Sequence, residues 1–246
     1  MKQTILFLFN IVAGICSIAS LLLLLFCHKV SAYVALGLFI LFLLSIIFLL
    51  CYWACQFIKK EYPEDYVRIS AFSTYETADG VKGIYERYRI IQSKRLVMNS
   101  IWFQFKWSGS KMPRLSSNLQ TIEGNPIDGG KDYDRIKLIF KNPLRFNDTA
   151  TIHFRAEVDD IDGKAAPYDC YKVETPIQLI HFRITLKHKP NDFNKPAKLQ
   201  RCLIDSPRHT NFETIENIPF DQNSKSYQYD VNHPKVGYFY RILWEK

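Results

Sequence analysis

The sequence predicts an N-terminal transmembrane α-helical hairpin followed by an all-β domain, and three observations lead there. Two apolar runs, Ile5 to Cys27 and Tyr33 to Cys55, fill most of the first 55 positions. Beyond residue 60 no stretch keeps a helical period, whereas short segments alternate apolar and polar side chains with period two. Asn-Pro, Asp-Gly and other proline-containing turns bound those segments.

Each apolar run is 23 residues long, and as a helix reaches about 34 Å, enough for a hydrocarbon core of about 30 Å. The knot "FCHKVSAY" (26–33) between them, with His28, Lys29 and Ser31, reads as a tight turn. A cleaved signal peptide ending near Ser31 is the competing reading, but the first run is too long for a signal core and only Lys2 precedes it. Tyr33, Tyr52 and Trp53 stand at the ends of the second run, and Lys59 and Lys60 follow it, as interfacial anchors do. Lys2, Lys59, Lys60 and Arg68 outweigh Lys29, so both termini are expected in the cytoplasm with the turn outside. The expected division is 1–58 for the hairpin, 59–65 for a short linker containing "EYPED" (61–65), and 66–246 for a cytosolic β domain.

Five segments carry the β expectation: "IWFQFKW" (101–107), "RIKLIF" (135–140), "TATIHFRAEV" (149–158), "IQLIHFRITL" (177–186) and "VGYFYRILW" (236–244). They are rich in β-branched and aromatic residues. In the first, Ile101, Phe103, Phe105 and Trp107 share one face, Trp102, Gln104 and Lys106 the other. Many short strands at such spacing imply a β-sandwich, with a barrel as the alternative. Four of six cysteines lie in the apolar runs, leaving Cys170 and Cys202 in the domain at no metal-ligand spacing, which suits a reducing compartment. The sequon Asn147-Asp148-Thr149 points weakly the other way.

Nothing in the motifs asks for an enzyme, a cofactor or a metal. The histidines are scattered, and no phosphate loop, nucleophile elbow or HExxH occurs. "DDIDGK" (159–164) has Asp160, Asp162 and Gly163 of a calcium loop but lacks its later glutamate and flanking helices, so it reads as a polar hairpin turn.

Charge is more informative. The chain carries +8, and residues 82–114 hold eight basic residues against the single acid Glu86. Tyr85, Arg87 and Arg89 share one strand face, read as an outward one, and Trp102 and Lys106 share another; with Lys94 and Arg95 they form a candidate site for a nucleotide or oligonucleotide. Guanidinium groups hold phosphates and aromatic rings stack bases. The plain alternative is a solvated basic face, or one resting on anionic lipid. In the first run Asn10, Ala13, Gly14, Ser17 and Ser20 fall at helical spacing, a small, weakly polar stripe suited to helix packing, within one chain or between subunits, or to a pore lining. Two helices cannot enclose a conduit, so a pore would require a homo-oligomer.

A two-span hairpin, a minimal external turn and a cytosolic β-rich domain, with "FKWSGS" (105–110) and the terminal "GYFYRILWEK" (237–246), together resemble the two-transmembrane, β-rich effectors of bacterial antiphage defence found in CBASS, type III CRISPR and retron loci. The resemblance is one of architecture across the whole chain. It implies a homo-oligomer, a tetramer as a first guess, in the bacterial inner membrane. Its β domain would sense a nucleotide, a short oligonucleotide from a companion enzyme, or a partner, and its spans would open a pore or ion channel. A membrane-tethered adaptor that binds a protein partner without conducting is the alternative, and an extracellular lectin-like domain of reversed topology a remote third.

Overall fold

The computed structural model describes Gly14 and residues 32–109, 111–128, 133–204 and 211–246. The chain divides into two units, 1–61 and 62–246.

In the first unit, helix α1 (Ala32–Glu61) contains the second apolar run and continues for six residues past Cys55. Its segment Phe39–Glu61 is long and apolar enough to cross a membrane. Leu41, Phe48 and Phe57 are exposed along it. Ser45, in the middle of the helix, returns its hydroxyl to the Leu41 carbonyl at 2.8 Å, which satisfies that group within the helix. Lys59 and Lys60 occupy the last turn, where cations complement the helix dipole. The first run and the turn at 26–31 lie outside the described residues apart from Gly14, which is helical with nothing within 4 Å of where a Cβ would stand. Asn10, Ser17 and Ser20 lie outside them too.

The second unit is built of β-strands: β1 (Tyr66–Thr77), β2 (Lys82–Ser93), β3 (Val97–Phe105), β4 (Arg114–Ser116), β5 (Gln120–Asp128), β6 (Asp134–Arg145), β7 (Thr149–Asp159), β8 (Tyr168–Val173), β9 (Leu179–Leu186), β10 (Ala197–Leu203), β11 (Glu213–Ile218), β12 (Ser226–Asn232) and β13 (Tyr238–Leu243). They form a six-stranded sheet in the order β12-β9-β1-β2-β7-β4, a four-stranded sheet β11-β10-β13-β8 and a three-stranded sheet β3-β6-β5. All three are open, and among the described residues no barrel closes. Pairing is antiparallel except between β1 and β9, which run parallel.

Two cores hold the sheets together. One joins β9 and β12 of the large sheet to β8, β10 and β13 through Ile180, Phe182, Ile184, Tyr227, Leu199 and Ile242. The other joins β2 and β7 to β3 and β6 through Ile91, Ile152, Phe154, Phe103, Ile136 and Leu138. The smaller sheets thus cover different halves of the large one, and β1 and β2 run beneath the seam between them. Burying each such side chain contributes about 1.5–3 kcal/mol. The predicted alternation in 101–107 holds: Ile101, Phe103 and Phe105 are buried, Trp102 and Gln104 exposed. "DDIDGK" forms a turn in which the Gly163 N–H donates to the Asp160 carbonyl with Gly163 at φ 65°. It is not a hairpin, because β7 and β8 belong to different sheets; the turn carries the chain across the layers.

Candidate functional site

A cleft of about 520 Å³ opens along the seam, floored by β1, β2 and β7 and walled by the free edges of β3 and β8. That volume is typical of small-ligand sites. Local irregularity aims its side chains. A bulge at Ile69 shifts the register of β1 between Arg68 and Ser70, so that Arg68 and then Ala71 and Ser73 all point inward. Across the rungs, Ala71 faces Arg89, Ser73 faces Arg87, and Tyr75 faces Tyr85. The small side chains of β1 leave room for the long ones of β2.

Three arginines are thereby buried on one sheet face: Arg68, Arg87 and Arg89, at 8%, 7% and 8% exposure. Buried guanidinium groups are costly unless paired, and two are paired. Arg68 takes a two-pronged contact from Glu64, Nη2 to Oε1 at 2.5 Å and Nε to Oε2 at 3.1 Å, with Glu174 at 3.8 Å. Arg87 donates to Ser73 Oγ (3.2 Å), Asp169 Oδ1 (3.2 Å) and the Cys170 carbonyl (2.8 Å).

Arg89 differs. Among the described residues it makes no ion pair, and its Nε is buried without a hydrogen bond. It is held between rings, 4.2 Å from the Phe103 centroid and 5.4 Å from that of Tyr171, a contact that compensates a cation only in part. Burial pushes its guanidinium down to about 10, with repulsion from Arg68 and Arg87 adding to the effect. It stays charged at neutral pH.

Further polar groups at the seam lack partners: Trp107 Nε1, the Tyr171 hydroxyl and Asp169 Oδ2 are buried and unbonded. Burial raises the Asp169 carboxyl above its ordinary value despite Arg87, and pushes the Cys170 thiol up to about 11. Gly109 lets the chain pass close to Trp107, since a Cβ there would stand 2.7 Å from the indole. The lining as a whole holds eight Arg and Lys against six Asp and Glu. The cleft is therefore not a uniformly basic trough: Arg68, Arg87, Arg95, Lys172 and Lys246 each pair with an acid of the lining, whereas Arg89 makes no ion pair among the described residues. A buried guanidinium without an ion pair, beside the ring of Tyr171 whose hydroxyl is unbonded, is suited to an anion.

Of the residues predicted from the sequence, Arg87, Arg89, Arg95, Trp102 and Lys106 line this cleft. Arg87 and Arg89 face inward, not outward. Arg95 is exposed and pairs with Asp65 at 3.5 Å, Trp102 is half-exposed, and Lys106 lies 5.9 Å from the Tyr133 ring. Lys94 is elsewhere: its ammonium donates to Gln92 Oε1 and Asn147 Oδ1, both at 2.7 Å, beside the Tyr62 and Phe146 rings. Sequence reasoning missed Arg68, Asp169 and Tyr171. Among the described residues no group of three His, Cys, Asp or Glu is arranged to hold a metal ion.

No protein-family profile and no curated protein matches the chain. Among solved structures it is similar to an M1 zinc metallopeptidase from Deinococcus radiodurans, at 10% identity and TM-score 0.35 over 69% of this chain and 42% of that one. It is similar as well to baculovirus P35, at 7% identity and TM-score 0.38 over 75% of this chain and 99% of that one. The chain spans about two fifths of the length of the metallopeptidase. Similarity of this degree assigns no activity.

Proposed function

We propose that this protein is a membrane-anchored sensor whose β domain binds a nucleotide or short oligonucleotide in the arginine cleft. The observation that carries the reading is Arg89, a buried guanidinium with aromatic neighbours and no anion of its own among the described residues. A phosphate supplies the missing charge, and Trp102 at the cleft wall offers a stacking face. The apolar helix α1 supports attachment to a membrane, and the basic residues at its end favour a cytoplasmic β domain. In this reading the chain is an effector of bacterial antiphage immunity in the inner membrane. A two-span hairpin assembles into a homo-oligomeric pore, and its β domain, a sandwich of sheets, controls opening. The tethered adaptor is the second reading, favoured by β11, a sheet edge with Glu213 to Asn217 all exposed and open to a partner's strand.

The test is the full chain in detergent and in liposomes, with a panel of nucleotides and short oligonucleotides. Saturable binding that raises thermal stability and is lost in Arg89→Met supports the sensor, and ligand-dependent ion flux supports the pore. Binding without flux under every condition favours the adaptor. An absence of Arg89-dependent binding overturns the sensing role.

A further inference from the structure

The segment that joins the two units reaches into the cleft with a carboxylate. Glu64 lies three residues beyond the last residue of α1 and makes the two-pronged contact with Arg68. The next residue, Asp65, pairs with Arg95, which also lines the cleft. Asp65 adopts φ 65°, and its N–H donates to the Tyr62 carbonyl at 2.9 Å while its own carbonyl accepts from the Lys94 N–H at 2.8 Å. Residues 62–65 are thus a tight turn pinned by two carboxylates to two arginines of the site.

Resting on the sensing role proposed above, we propose that the cleft takes a ligand with two anionic groups, one on Arg89 and a second that displaces Glu64 from Arg68. Three features support the exchange. Arg68 and Arg89 are diagonal neighbours on adjacent strands, since Arg68 pairs with Ile91 and Arg89 lies two residues along β2 on the same face. Such positions have backbones roughly 7–8 Å apart, within reach of two linked phosphates for long side chains. The Arg68–Glu64 contact is a carboxylate pair that a phosphate can replace in kind, with the same fork geometry. Finally, Glu174 remains 3.8 Å from Arg68 on departure of Glu64, so the guanidinium is not stranded during the exchange. Glu64 is itself a quarter exposed and has water to return to. The consequence is that occupancy of the cleft frees the turn immediately after the membrane helix, which a ligand with one anionic group would not do.

The full chain in detergent is titrated with inorganic triphosphate and, separately, with inorganic phosphate, and amide hydrogen exchange is followed over residues 62–66 and 87–89. Triphosphate is expected to slow exchange at 87–89 and to speed it at 62–66 as the Asp65 amide loses its partner; phosphate should slow only 87–89. Glu64→Gln should bind triphosphate about tenfold tighter than the wild type and exchange fast at 62–66 without ligand. Triphosphate binding that depends on Arg89, is no tighter in Glu64→Gln and leaves 62–66 unchanged in the wild type overturns the exchange while keeping the anion site. An absence of Arg89-dependent binding of either anion overturns both.

Discussion

Arg89 lies over the Phe103 ring with its guanidinium carbon 4.2 Å from the centroid, and Ala71, fully buried, stands opposite it on β1. A cation in so apolar a place weakens the domain. Arg89→Met keeps the length and removes the charge, so it should stabilise the domain by about 1–3 kcal/mol while abolishing anion binding. Thermal or urea unfolding in anion-free buffer, beside triphosphate titration, checks both. A loss of stability together with a loss of binding would mean that Arg89 is a structural residue only.

Arg87 should behave in the opposite way. Asp169→Ala leaves its guanidinium buried without a carboxylate and should destabilise the domain by about 3–5 kcal/mol, whereas Arg87→Met combined with Asp169→Leu should restore most of that. A double-mutant cycle in urea measures the coupling. If Asp169→Ala costs no more than a surface change, the pair has no structural weight.

The third prediction concerns acid. His153 is fully buried and stacks on Tyr88 at 4.5 Å, and its Nδ1 accepts the Asn118 N–H at 2.9 Å, which places the proton on Nε2. Burial lowers its imidazole below the ordinary value of 6.5, outweighing the attraction of Glu86. With the folded value depressed, its contribution is complete above the unfolded value of about 6.5 and is lost as pH falls through the lower folded one. Stability should therefore decline on acidification from about pH 6.5, and His153→Gln should flatten that limb. Unfolding midpoints across the acid range decide it, and an unchanged slope in the variant would remove His153 as the cause.

The strands were legible because their signal is local. β3, β6, β7, β9 and β13 each overlap a segment whose period-two alternation or β-branched content is visible in ten residues or fewer. The five cleft residues were found for the same reason, as a run of positive charge interleaved with aromatic residues. Their facing was not. Ile84, Tyr88 and Ile90 occupy the opposite face of β2 and are the more apolar set, so Arg87 and Arg89 read as the outer one; in the fold Tyr85 and Ile91, on their own row, pack into the core and mark it as the inner face. Arg68 was hidden by the bulge at Ile69, which changes the phase of β1 in mid-strand. Asp169 and Tyr171 reach the arginines from a strand some 80 residues away, and no local pattern encodes that meeting.

The parallel pairing of β1 with β9 has a consequence during synthesis. β2 follows β1 after a short turn and closes one side of it at once, but β9 begins at Leu179, about 100 residues later. At translation rates of about 5–20 residues per second, the other side of β1 waits roughly 5–20 s for its partner. Throughout that interval a strand beginning five residues after the apolar helix α1 exposes an unsatisfied ladder of amides and carbonyls to every neighbouring nascent chain. Crowded translation of this protein should therefore be its most vulnerable moment, and a holdase that shields nascent strands should raise its yield more than any agent acting on the finished fold.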